Sequence, residues 1–104
     1  MSAGPPPPPS QLRIDLAGWL NGFALPERTK GRDDYSRGNV VSLEQAVDSP
    51  TTTVFAAVRG TEIYECTLNY KPGTGWTGEC SCPVGVDCKH LYAVGSAFLV
   101  QLTD

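Results

Sequence analysis

The segment Cys80-Ser81-Cys82-Pro83-Val84-Gly85-Val86-Asp87-Cys88-Lys89-His90 decides how this chain folds. It holds three of the four cysteines and the only histidine within eleven residues. Three thiolates and one imidazole are the donor set that tetrahedral Zn2+ takes in a closed, structural site. In an extended chain, residues i and i+2 point the same way, so Cys80 and Cys82 converge on one ion from the end of a strand. In a regular helix i and i+2 lie about 200° apart, so Cys88 must precede a helix and His90 must sit at or near its first turn. Pro83 and Gly85 supply the reversal that brings the second pair over the first. One Zn2+ would then staple a hairpin end to a helix start.

Two rival chemistries stand beside this one. The four cysteines could form disulfides, but a Cys80–Cys82 bridge closes a small, strained ring. Pairing Cys66 with a cluster cysteine would leave His90 without a role. A thiolate beside a histidine could also be a nucleophile. Against that, four protein ligands leave no free thiolate and no position for water, and Glu79 and Asp87 flank the cluster in no evident general-base motif. The expectation is a non-catalytic chain with a metal site of Cys80, Cys82, Cys88 and His90.

Working outward, Leu91, Val94, Phe98, Leu99 and Leu102 predict a C-terminal helix, with Gly95 marking a weak point or a close approach to a strand. Upstream, Lys71–Gly78 carries Pro72, Gly73, Gly75 and Gly78 and reads as a turn region that includes Trp76. Strand signals cover 39–43, 51–58 and 61–70, with Arg59-Gly60 as a two-residue hairpin link. In the last of these, Tyr64, Cys66, Leu68 and Tyr70 share one face, which makes Cys66 a buried small hydrophobe rather than a ligand. A further helix is expected from about Gln11 to Asn21, capped by Ser10 and ended by Gly22. Leu12, Leu16, Trp19 and Leu20 form its apolar stripe, with Trp19 and Phe23 as core anchors and Pro26 preventing continuation. The charged stretch 27–38 reads as a solvated connector, with a small basic patch as its sharper alternative.

The fold class is therefore α+β: a small zinc-stabilised domain with a β-hairpin or three-stranded antiparallel sheet, a C-terminal helix, and an additional N-terminal helix. Residues 1–10, with prolines at 5–9, read as a disordered proline-rich tail in polyproline II. Residues 11–38 form the helix and connector, and 39–104 the metal-binding domain. At 104 residues, the chain is of a size where a metal commonly supplements a modest core. No apolar run is long enough for a membrane span and no signal-peptide pattern opens the chain, so an intracellular setting is expected, cytoplasmic or nuclear, where thiols stay reduced.

The motif Cys80-x-Cys82-x5-Cys88-x-His90 resembles the SWIM zinc finger. So do the stretch Gly31 to Val40, Val58-Arg59-Gly60 with Tyr64, Trp76, the run Cys80-Ser81-Cys82-Pro83, and Cys88-Lys89-His90-Leu91 followed by Ala93. The resemblance spans roughly residues 31–100. It implies two strands and a helix around one zinc, and a setting in Swi/Snf-type helicase-like ATPases or other DNA-processing proteins, where such domains are proposed to bind DNA or proteins. No phosphate-binding loop of the G-x-x-x-x-G-K-[ST] kind occurs, so the chain lacks an ATPase's own machinery.

Two functions remain open. In one, the module binds nucleic acid through Arg28, Lys30, Arg32, Arg37, Arg59, Lys71 and Lys89, with Trp76 as a stacking surface; Trp76 as a lid over the metal site is the alternative. In the other it contacts a protein partner of a DNA-processing assembly. The net charge of −3 favours the second, because sequence-independent DNA binding runs on phosphate neutralisation. Neither reading involves a membrane or a small-molecule substrate.

Overall fold

The computed structural model describes residues 7–48 and 50–103. Its elements run α1 (Pro9–Asn21), α2 (Leu25–Ser36), β1 (Val40–Asp48), β2 (Thr51–Arg59), β3 (Ile63–Lys71), β4 (Gly75–Cys80) and α3 (Lys89–Thr103). The strands form one antiparallel sheet in the order β1-β2-β3-β4. The molecule is thus α+β, with a four-stranded sheet in place of the two or three strands expected.

Alternation selects the core face of the sheet. Thr52, Val54, Ala56 and Val58 of β2 are buried, as are Cys66, Leu68 and Tyr70 of β3, while residues between them are more exposed. Helix α3 lies on this face, touches all four strands, and contacts both other helices. Its Leu91, Val94 and Phe98 meet Leu12, Leu16 and Leu20 of α1 in a single apolar cluster. Trp19 and Phe23 pack edge to face at 4.9 Å, as their assignment to the core anticipates. Gly95 allows a close approach, to Leu20 of α1 rather than to a strand.

Four local expectations need correction. Helix α1 starts at Pro9 with Pro8 as its N-cap, so Ser10 lies inside its first turn. Proline's preset φ suits that position, and its missing N–H would have had no intrahelical partner. Residues 1–6 of the expected tail lie outside the described residues. Second, the stretch read as a connector is helix α2, and Pro26 sits in its first turn instead of breaking anything. An Arg37–Asp33 ion pair at 3.0 Å spans its last turn, and Asn39 closes its end through bonds to the Asp34 carboxylate and carbonyl. Third, the β2–β3 link spans Gly60–Glu62, closed by the Gly60 amide on the Glu62 carbonyl.

Fourth, β4 fills much of the stretch read as turn. Gly78 is closely overlaid: a Cβ there would meet the side chains of Leu68, Leu91 and Trp19 at 3.1–3.2 Å. Trp76 next to it is buried, with its ring 5.2 Å from Tyr70 and 5.8 Å from Phe98. Its indole N–H donates to the Leu12 carbonyl at 3.3 Å. Trp76 is therefore a core residue, neither a lid over the metal site nor a stacking platform.

Two contacts yield predictions. A Cβ on Gly31 of α2 would stand 2.6 Å from the Lys89 carbonyl oxygen and 2.7 Å from the Tyr92 Cβ. Gly31→Ala should therefore cost about 1–3 kcal/mol of stability despite alanine's better helix propensity; an unchanged urea midpoint would refute the contact. The Tyr70 hydroxyl donates to Asp15 at 2.6 Å, and Gln11 donates to the same carboxylate. Those bonds, Tyr70 first, hold the Asp15 carboxyl below its ordinary value, and the Asp15 bond raises the Tyr70 phenol. A depressed acid stabilises the fold above its unfolded pKa and a raised phenol does so below its own, so the latch operates between about pH 4 and pH 10. Tyr70→Phe should lower stability at neutral pH and converge with the native chain as acid protonates Asp15. Equal loss at every pH would assign the effect to packing alone.

Candidate metal centre

Each expected donor sits where its local structure presents it to the others. Cys80 ends β4, Cys82 lies in the following loop, Cys88 directly precedes α3, and His90 occupies the helix's first turn. The loop closes through the Cys80 amide on the Gly85 carbonyl at 2.7 Å. Gly85 (φ 83°) and Asp87 (φ 52°) take left-handed conformations that turn the chain back toward the helix. The Tyr92 amide donates to the Cys88 carbonyl at 3.2 Å, which anchors the helix start at the ligand itself.

The four donor atoms lie within 4.8 Å of one another. His90 turns Nδ1 to the sulfurs, 3.7 Å from Cys80 Sγ and 3.9 Å from Cys88 Sγ. Around a tetrahedral ion with Zn–S and Zn–N bonds of ordinary length, sulfur–nitrogen edges are about 3.6 Å and sulfur–sulfur edges about 3.8 Å. The residues fit such an ion: both measured sulfur–nitrogen edges match to a few tenths of an ångström, and the whole donor set is compact enough to close on one ion. Coordination through Nδ1 requires a neutral imidazole with its proton on Nε2. Tyr64 holds the ring from one side, with centroids 4.6 Å apart, and its hydroxyl is fixed by Thr61 at 2.8 Å.

Burial governs the protonation of all four donors. Cys82 and Cys88 are 7% and 2% exposed, His90 is 5% exposed, and Cys80 is half-buried. Burial pushes the Cys80 and Cys88 thiols up to about 12 each, and neighbouring cysteines add to the rise. Burial works against a Cys82 thiolate too, but amides of Gly85 and Val84 and the adjacent Cys80 and Cys88 thiols outweigh it and bring that thiol down. Burial, then the Lys89 charge, lowers His90 against the opposing pull of Asp34, which keeps the ring in its ligating form. As thiolates, two buried sulfurs and one half-buried sulfur would be costly without a counter-ion, and a divalent metal would remove that cost.

Cys66 is the residue that reading the sequence undervalued. It is 1% exposed, as its strand period implies, yet its Sγ lies 3.4 Å from Cys80 Sγ. Only the cross-strand register Cys66↔Cys80 creates that contact, and the expected hairpin omitted β4.

The expected partner-contact residues separate. Lys30 and Lys89 line a groove of about 330 Å³ beside the metal cluster, together with Glu27, Gly60, Thr61, Tyr64, Pro83 and Val84. Arg32 is exposed on α2, Arg28 is half-buried, and Arg37 pairs with Asp33. Arg59 ends β2 near this side, its amide bonded to the Asn39 carbonyl. Lys71 stands at the β3–β4 turn, on the opposite end of β3 from Tyr64. No described helix is long and apolar enough to cross a membrane. Comparison of the chain with protein-family models, curated proteins and solved structures gives no match.

The site predicts one metal ion per chain, measured by native mass spectrometry, whose removal by a strong chelator melts the β4–α3 junction. Metal at such sites contributes on the order of 10 kcal/mol, comparable to the whole stability of a small domain. Cys82→Ser should lose the metal and ordered structure from about Tyr70 onward, whereas Cys66→Ser should retain full stoichiometry. Full retention in the first variant would remove Cys82 from the ligand set.

Proposed function

We propose that this chain is a SWIM-type structural zinc module that binds nucleic acid with the surface around its metal-held loop. Zinc is the ion of choice for three thiolates and one imidazole in a closed tetrahedron. With all four positions taken by protein, the ion serves architecture and the module is not an enzyme. The reading draws on the resemblance of its Cys-x-Cys and Cys-x-His pairs to the SWIM pattern. A larger setting in a helicase-like or other DNA-processing protein follows from that resemblance alone.

The observation that carries the nucleic-acid reading is where the cations fall. Of the eight Lys and Arg residues, Arg28, Lys30 and Arg32 lie on α2, Arg37 just past its end, Arg59 at the end of β2 and Lys89 at the start of α3, interleaved there with Glu27, Asp33, Asp34, Glu62 and Asp87. Lys30 and Lys89 flank the groove itself. By contrast, Glu44, Glu65 and Glu79 alternate on the outer face of the sheet and leave it acidic. Phosphate would be drawn to Lys30 and Lys89, with Glu27 opposing them in the same groove, and repelled from the outer-face carboxylates.

One observation favours a protein partner instead. Val84 and Val86 on the metal-held loop are 67% and 57% exposed, and an apolar loop tip beside a groove suits a protein surface better than a phosphate backbone.

Single-stranded and duplex DNA should bind at low salt with an affinity that falls as salt rises, the logarithmic slope reporting about two to four phosphate contacts. Lys30→Gln with Lys89→Gln should weaken binding and flatten that slope while keeping the metal. Absence of binding at low salt, or a slope indifferent to both substitutions, would transfer the surface to a protein partner.

A further inference from the structure

We infer that Cys66 is a resolving thiol for Cys80, so that a hydroperoxide links the two in a cross-strand disulfide and withdraws Cys80 from the metal site. The register pairs Cys66 with Cys80 directly. The Ser81 amide donates to the Glu65 carbonyl at 3.0 Å, while the Cys80 amide is engaged by Gly85. A bond from residue 81 to residue 65 flanks the 66/80 pair, which makes it a non-hydrogen-bonded pair of the antiparallel ladder. In such pairs the Cα atoms are about 4.5 Å apart, inside the range a disulfide spans. The sulfurs already stand 3.4 Å apart, so bonding needs side-chain rotation and little backbone movement.

Other pairings are less favourable. Cys80 with Cys82 closes the small ring already noted, and Cys82 and Cys88 are nearly buried and engaged with the loop and the helix start. Cys80 is the most exposed of the three ligating cysteines, and Cys66 behind it is sealed from solvent. For an oxidised Cys80 the thiol in contact that is not itself a ligand is Cys66, on the buried side.

The chemistry balances with a hydroperoxide as the oxidant. The Cys80 thiolate attacks the peroxide, the O–O bond breaks, and a proton is taken up, giving a sulfenic acid and one water when the peroxide is H2O2. The Cys66 sulfur then attacks the sulfenic sulfur. The S–O bond breaks, the S–S bond forms, and the thiol proton leaves with the hydroxyl as a second water. Two electrons pass from the sulfurs to the peroxide. The metal is left with Cys82, Cys88 and His90, an open set that holds it less tightly. A thiol reductant reverses the change, because the disulfide stops Cys80 short of sulfinic acid.

The inference rests on the metal reading only in treating Cys80 as a ligand, so zinc content is measured by native mass spectrometry before oxidation. Zinc already absent at that point would defeat the metal reading, and the crosslink map would still decide the thiol pair. The full-length chain is then treated with hydrogen peroxide, its remaining thiols are alkylated, and its disulfides are mapped on proteolytic fragments, with released zinc followed by a chromogenic chelator. The expected result is a Cys66–Cys80 crosslink formed in step with zinc release, and recovery of zinc binding after dithiothreitol. Cys66→Ser should bind zinc normally but give no crosslink to Cys80, accumulate sulfinic acid there, and fail to recover. An alkylated, unbridged Cys66 in the oxidised native chain would overturn the inference, as would native-like recovery in Cys66→Ser. The map of the native chain decides the matter alone should that variant fold poorly.

Discussion

The convergence of four soft donors at the junction of β4 and α3 is the constraint on which the other contacts depend. Left to themselves, a short strand rich in glycine and a loop carrying Pro83 and Gly85 have little reason to order. Burial of Cys82 and Cys88 as thiolates would moreover be unfavourable without a counter-ion. A cation held between them would reverse both penalties. Such an ion would pin the end of β4 to the first turn of α3.

The core follows from the placement of α3. Because this helix touches every strand and both other helices, its register determines which side chains meet. Its Phe98 lies against Trp76, its Tyr92 against Phe23, and its first turn against Gly31 of α2. One face of β3 runs the length of the arrangement: Tyr64 braces the His90 ring, Cys66 backs Cys80, Leu68 fills the centre, and Tyr70 latches α1 through Asp15. The metal end and the α1 end are thus joined by one strand whose alternate residues each have a distinct task.

The acidic balance of the chain is unevenly distributed. Glu44, Glu65 and Glu79 share the outer face of the sheet, and most cations lie on the elements around the metal loop, where Glu27, Asp33, Asp34, Glu62 and Asp87 accompany them. Net charge alone argued against a nucleic-acid surface. Local arrangement matters more than the sum, because fields at a protein surface are local on the scale of a Debye length.

Some features were fully determined by the order of residues. The Cys-x-Cys and Cys-x-His spacings required an extended approach, a reversal and a helix start, because only those backbones aim i and i+2 donors at one point. The alternation in β2 and β3 and the apolar stripes of α1 and α3 gave those elements their buried faces for the same geometric reason. Tertiary structure alone decided the rest. Helix α2 has almost no apolar stripe, and it is held by the close approach at Gly31, which no periodicity announces. Strand β4 looked like a turn because Gly75 and Gly78 mimic one locally, whereas Gly78 is there to admit three neighbouring side chains. Trp76 near the ligands in sequence lies in the core in space, and Cys66, fourteen residues before Cys80, touches it. Contacts of that kind are set by strand register, and register here is fixed by a strand that local sequence could not reveal.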